Sequence, residues 1–314
     1  MNEPRSQRIV SLLPGATEIV CDLGLADQLV GISGECDQPL DVMDRPRVSL
    51  GAIEPGDSDP GRIDAAVRET LAAGQPLFRA DTEALAKLQP DLILSQSLCD
   101  VCAATPGSLT AEAIGDATVL SLDGRDLDGL QADIQAVAHA AGVPERGEQR
   151  VAALQRRREQ ARRRPKRRPR VLAVEWPEPL YLGGHWVPDM ILEAGGDPLG
   201  APGDHSVTVD WQAILDFAPE VILHLPCGMD VEQAANNFTA LTARPGWQTL
   251  PAVQAGAVYL LDSNRFFSRP GPAVFTGIEI LAHILEGGGN DPAPGYWRRA
   301  EFRTRSTEWP GKAG

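Results

Sequence analysis

The chain has 314 residues, enough for two domains of ordinary size, and its 43% hydrophobic and 23% charged content is that of a globular protein, not of a disordered tail or a coiled coil. No apolar run approaches the roughly 18–20 residues that would cross a bilayer. The formal charge of −14 argues against a broad nucleic-acid surface, and five cysteines (Cys21, Cys36, Cys99, Cys102, Cys227) are an odd number that fits free or metal-binding thiols in a reducing compartment better than a disulfide framework.

Residues 1–7 read as a tail. They run into Arg8–Leu12 and a Pro14-Gly15 break, without the basic, apolar and small-residue succession of a secretory signal, so a cytoplasmic location is expected. Short apolar runs then recur as buried parallel strands: Arg8–Leu12, Leu29–Ser33, 87–96 and 117–124 in the first half. The second half repeats the plan with 170–174, 216–225 and 256–263. Pro90-Asp91-Leu92-Ile93-Leu94 matches Pro219-Glu220-Val221-Ile222-Leu223 closely. Helix signals fall between them at Ala16–Leu25, Thr82–Leu88, Val187–Ala194 and Trp211–Phe217. Residues 145–168 are rich in Glu, Arg, Gln, Ala and Leu and predict one long helix. The expected fold is α/β: two βα lobes with parallel sheets, 8–140 and 169–285, joined by a single helix in 141–168. A loosely held tail, 286–314, follows.

Ten of the 29 basic side chains lie in residues 156–170, against one acid, Glu159. The run reads either as a solvated helix end complementing the C-terminal dipole or as an anionic-surface patch.

In open parallel sheets, ligands sit beyond the carboxyl ends of the strands. The loops at those ends hold Glu35-Cys36-Asp37, Gln96, Cys99 and Cys102, Glu175-Trp176, His185-Trp186, Cys227, Phe267 and Arg269. These are the candidate ligand-binding residues. Thiolates from Cys36, Cys99, Cys102 and Cys227 with His185 would suit zinc or cuprous copper; any one of the cysteines also reads as a small buried hydrophobe. Cys99-x-x-Cys102 reads alternatively as a redox pair. His205 is a loop residue that can face the cleft, and His224 reads as a core residue. No nucleophile elbow, phosphate loop or dinucleotide fingerprint occurs, and no catalytic residue is assigned.

RIVSLLPGATEIVCDLGLADQLVGISGECDQP (8–39), KLQPDLIL, GGHWVPDMILEAGGDPLG, WQAILDFAPEVIL and the Arg-Pro-Gly-Pro segment resemble the cobalamin and iron-siderophore substrate-binding proteins of ABC importers. The resemblance covers about residues 8–285. Glu-Cys-Asp, Cys-x-Val-Cys-Ala, Gly-His-Trp-Val-Pro, Pro-Cys-Gly and Phe-Ser-Arg-Pro-Gly-Pro narrow it to a branch without a signal peptide labelled cobalamin-binding. It implies a class III periplasmic-binding-protein fold and a corrinoid or other metal-containing ligand held between the lobes. It also implies an importer partner touching one glutamate per lobe. Glu83 matches the first of these; Gln212 stands at the second. The positions matching the family's corrin-packing aromatics are Glu35, Leu77, Gln96, Leu180, Ser206 and Arg265. None carries an aromatic ring, so Trp176, Trp186, Phe266 and Phe267 are the aromatic candidates. The alternative function is a cytosolic thiol-dependent metal handler or enzyme using the same cleft.

Overall fold

The computed structural model describes residues 7–52, 59–98, 105–287 and 290–301. In the first half, β1 (Ile9–Ser11), α1 (Pro14–Asp22), β2 (Leu29–Gly31), β3 (Ser49–Gly51), α2 (Pro60–Ala72), β4 (Phe78–Ala80), α3 (Thr82–Leu88), β5 (Leu92–Ser95), α4 (Ala111–Ile114), β6 (Thr118–Ser121) and α5 (Leu127–Ala140) follow in order. Four of the strands form an all-parallel sheet, β2-β1-β5-β6. Their side chains are apolar on both faces, as expected of strands covered by helices on both sides. Asp81 fixes the start of α3 by accepting from the Ala84 amide, an N-cap of the kind that stabilises a helix by about 1 kcal/mol.

One linking helix, α6 (Pro144–Ala161), leads to the second half. It stops seven residues short of the expected end. Pro165 disfavours helical backbone at Arg164. Side chains of the last turn are also drawn off the helix axis: Arg158 and Arg162 both bind Glu193. Proline at its first turn suits the other end, where no amide partner is lost.

The second half comprises β7 (Arg170–Pro177), β8 (Leu180–Leu182), α7 (Val187–Glu193), β9 (Asp197–Pro198), α8 (Trp211–Phe217), β10 (Val221–His224), α9 (Val231–Asn237), α10 (Thr239–Thr242), α11 (Pro251–Gln254), β11 (Val258–Leu261), α12 (Ser263–Phe266), α13 (Val274–Glu286) and β12 (Trp297–Arg299). Strands β7, β10 and β11 are parallel, with β8 and β12 antiparallel at the edges. The tail is thus less loose than expected. Trp297 donates to Asp291 at 2.9 Å, and β12 pairs with β11 across three residues. β7 is also longer than its apolar run implied, because it turns back into β8 as a hairpin.

A single buried cluster joins the halves. It contains Ile9 and Leu92 of the first sheet, Val151 and Leu154 of α6, and Val171 and Leu223 of the second sheet. The arginine run is neither simply solvated nor simply free. Arg157 forks onto Glu279 with two 2.9 Å bonds, and Arg158 binds Asp128 of α5 as well as Glu193 of α7. Half-buried, forked pairs of this kind hold geometry better than exposed single ones.

Candidate binding cleft

The carboxyl ends of both parallel sheets face one cleft, and the loops there are tied across it. Arg269 is central and only 8% exposed. It belongs to the second half yet binds the Asp37 carboxylate, reaches the Glu35 carbonyl at 3.3 Å and lies 3.7 Å from Glu18. Asn264 accepts from it at 2.8 Å and donates to Asp37 at 2.8 Å. Burial acts to raise the Asp37 carboxyl, but the Arg269 hydrogen bond and charge outweigh it and hold it below the usual range. Glu18 behaves oppositely: burial pushes its carboxyl up to about 7 in spite of Arg269. Arg269 divides its donors among several acceptors, so its pull on any one is limited.

The halves also meet at Gly15. A Cβ there would lie 2.4 Å from the Pro270 carbonyl oxygen, so only glycine permits this approach. The first turn of α1 is therefore closed by the Arg-Pro-Gly-Pro segment.

Glu175 lies at an irregularity in the β7–β8 ladder, where the register shifts between Val174 and Trp176. Such a bulge re-aims one side chain. The carboxylate accepts from Ser206 Oγ at 2.7 Å and the Gly184 amide at 3.2 Å, and burial raises its pKa. Gly184 makes this possible, since a Cβ would sit 2.3 Å from the Ser206 nitrogen. Next along, Trp176 sends its indole N–H to the Pro60 carbonyl at 3.2 Å, joining β7 to the first turn of α2.

His185 has a φ of +54°, a left-handed conformation costly for a residue with a Cβ. Its amide donates to the Asp204 carbonyl at 2.6 Å and its carbonyl accepts from Gly203 at 2.9 Å, which fixes the turn. The Nε2 atom is buried without a hydrogen-bond partner. Burial, helped by His205 and Arg125, pulls the imidazole pKa down to about 4, so the ring is neutral near pH 7. His205 stands edge-on to it with centroids 5.3 Å apart. Arg125, from the loop after β6, reaches His205 Nε2 at 3.3 Å across the cleft.

The remaining candidates are placed as follows. Trp186 and Phe267 are 4% and 2% exposed, inside the joint core, with the Trp186 indole N–H on the Phe267 carbonyl at 2.7 Å. Trp186 lies beside His185 with ring centroids 5.7 Å apart, a buried aromatic whose one polar tip is satisfied. Gln96 is buried at the end of β5, and the Glu35 side chain is exposed at the rim. Cys36 is buried with its Sγ 3.2 Å from Thr17 Oγ1, and burial pushes its thiol up. Cys227 is half-buried, and its amide binds the Glu175 carbonyl. Cys99 and Cys102 lie outside the described residues. Among the described residues, no three His, Cys, Asp or Glu side chains converge in a way that would hold a metal ion.

Arg125 escaped the sequence reading of this cleft, and Glu18, Asn264 and Ser206 lay in segments it considered without being named as ligand-binding residues. Their partners on other loops, Glu175, His205, Asp37 and Arg269, are 31 to more than 200 positions away, beyond any local pattern. The available signal for Glu18 is an acid in the first turn of the expected helix 16–25, which is otherwise largely apolar.

The periplasmic binding protein family model matches residues 9–265. An ABC transporter substrate-binding lipoprotein of Bacillus subtilis is 24% identical over 295 residues, covering 90% of this chain and 80% of its own. A vitamin B12-binding protein of Vibrio cholerae is 26% identical over 288 residues, covering 90% of each. The crystal structure of a periplasmic heme-binding protein from Pseudomonas aeruginosa shares the fold. Its TM-score is 0.71 at 18% identity, over 95% of this chain and 99% of that one. A relative that is a substrate-binding lipoprotein overturns the expected cytoplasmic location. The absence of a recognisable signal in residues 1–7 was the wrong guide to compartment. With the matched residues spanning both sheets and the linking helix, the chain belongs to the periplasmic binding protein family.

Proposed function

We propose that this protein is the substrate-binding component of an ABC importer and that its two lobes close on a metal tetrapyrrole, a corrinoid in the first instance. The observation that carries the ligand class is His185: a neutral imidazole, held at a costly φ, whose buried Nε2 makes no hydrogen bond. A neutral ring nitrogen is what an axial position on cobalt or iron requires. The V. cholerae relative named for vitamin B12 and the heme-binding P. aeruginosa structure support the same class. Opening of the Arg125–His205 contact would expose the ring to a ligand entering between the sheets. Glu35, Gln96, Glu175 and Trp176 would meet the periphery of that ligand, with Cys227 at the second-lobe wall. Importer docking would use the exposed Glu83 of α3 and the Gln212 of α8, which carries no charge. The second lobe would therefore dock more weakly than the first.

Calorimetry with cobalamin, cobinamide and haemin tests this reading. Micromolar or tighter binding of either corrinoid supports it. Binding of haemin alone overturns the corrinoid assignment, and no binding of any of the three overturns the tetrapyrrole class.

A further inference from the structure

An open cavity lies at the amino-terminal end of β7, away from the cleft at the strand's other end. It is open to solvent, holds about 550 Å³ and is lined by Arg162, Arg163, Arg164, Arg168, Leu192 and Glu193. That volume falls within the roughly 300–1,000 Å³ of ordinary small-molecule sites. Its position follows from β7: Arg170 begins the strand beside this cavity, while Glu175, near its other end, faces the cleft.

The charge inside is unbalanced. Glu193 is the one lining acid, and it is already committed to Arg158 and Arg162. Arg163 is paired with Glu286 and also caps the end of α6 by donating to the Gln160 and Ala161 carbonyls at 2.8 Å. Two guanidiniums are left over. Arg168 is held in place by the Leu192 carbonyl at 3.2 Å, but faces no carboxylate among the described residues. Arg164 is 76% exposed, with Glu159 no nearer than 3.9 Å. Lys166 lies between them in sequence and likewise has no carboxylate partner among the described residues. This concentration of unneutralised cations occurs in a chain whose net charge is −14.

We propose that this cavity binds a phosphate-bearing polyanion. Planar guanidinium forks match phosphate oxygens in pairs, and several forks from one short segment favour a ligand of more than one negative charge. Leu192 is the only apolar side chain in the lining, and no aromatic ring is available to stack on a base. The chemistry therefore fits a phosphate group rather than a nucleic-acid strand. The site is built from the linking segment and α7, so its ligand touches neither His185 nor Arg269.

The test is calorimetry of the full chain with sodium pyrophosphate at low ionic strength, beside co-sedimentation with phosphatidylglycerol and phosphatidylcholine vesicles. The expected result is pyrophosphate binding that weakens as salt rises, and at least tenfold weaker binding by the Arg164→Glu/Arg168→Glu variant. Sedimentation with phosphatidylglycerol vesicles alone, lost in the same variant, assigns the phosphate to a lipid headgroup. Binding by neither probe overturns the proposal, and so does equal binding by wild type and variant. Both side chains are exposed, and single Arg164→Gln and Arg168→Gln variants provide the same comparison if the double variant does not fold. Cobalamin calorimetry on the same samples separates failure of this site from failure of the cleft.

Discussion

Replacing Arg269 by alanine tests how the two halves are tied. The side chain has three kinds of partner. The Asp37 carboxylate is half exposed, and pairs of that kind contribute roughly 0–1 kcal/mol. The hydrogen bonds to Asn264 and the Glu35 carbonyl add about 1 kcal/mol each at most. Glu18 is the buried partner, with 13% of its side chain exposed. Its carboxyl already sits at about 7, so on losing Arg269 it takes up a proton instead of remaining a bare buried charge. That caps its share at about 1–2 kcal/mol, one further pKa unit being about 1.4 kcal/mol. The total is about 3 kcal/mol, the lower end for breaking a buried pair. In a chain of this length the loss corresponds to a fall in Tm of roughly 4–5 °C. Because the same side chain joins the sheets, small-angle scattering should show a larger radius of gyration. Arg269→Lys should fall between, since lysine keeps the charge and loses the fork. An alanine variant within about 0.5 kcal/mol of wild type in urea unfolding, with unchanged scattering, would refute this account of the latch.

Three further expectations follow from the same geometry. Glu18 has its folded pKa raised to about 7 from 4.5, so the folded chain holds the extra proton. Its contribution is complete below pH 4.5 and is lost as pH rises through 7. Glu18→Gln should therefore gain roughly 2–3 kcal/mol on wild type between pH 4.5 and pH 8, and parallel urea curves at the two pH values would contradict it. Wholly buried His224, bound to Asn237 at 2.6 Å, has its pKa pulled down to about 4 by burial. Stability from it is full above pH 6.5 and lost as pH falls toward 4, so its ring NMR signals should stay put from pH 8 to pH 5; a midpoint near 6.5 is the opposing result. His185→Gly removes a side chain held at positive φ. It should leave stability within about 1 kcal/mol of wild type, and a loss above about 2 kcal/mol would mean that the ring serves packing instead of a ligand.

The strands were readable in the sequence because each is a short apolar run fenced by Pro, Gly or Asp. Leu92–Ser95 and Val221–His224 fall inside their expected segments, and α3 and α8 match theirs residue for residue. Three features were not readable. The end of α6 depends on Glu193 lying beside Arg158 and Arg162, a pairing across 31 to 35 positions. The tail strand Trp297–Arg299 depends on an open edge at β11, which no local pattern announces. At the cleft, the loops were placed by the rule that ligands sit beyond strand ends. Which side chains face into it was settled by packing: Trp186 and Phe267 turned inward because their apolar area is worth more in the core, while His185 was held in a turn by Asp204 and Gly203.

The most direct measurement is the visible absorption spectrum of aquocobalamin on addition of the protein. Replacement of the cobalt-bound water by the His185 nitrogen predicts a shift of the absorption bands with wild type and none with His185→Ala at matched protein concentration. An unshifted spectrum with wild type, or the same shift with the alanine variant, would contradict the central claim.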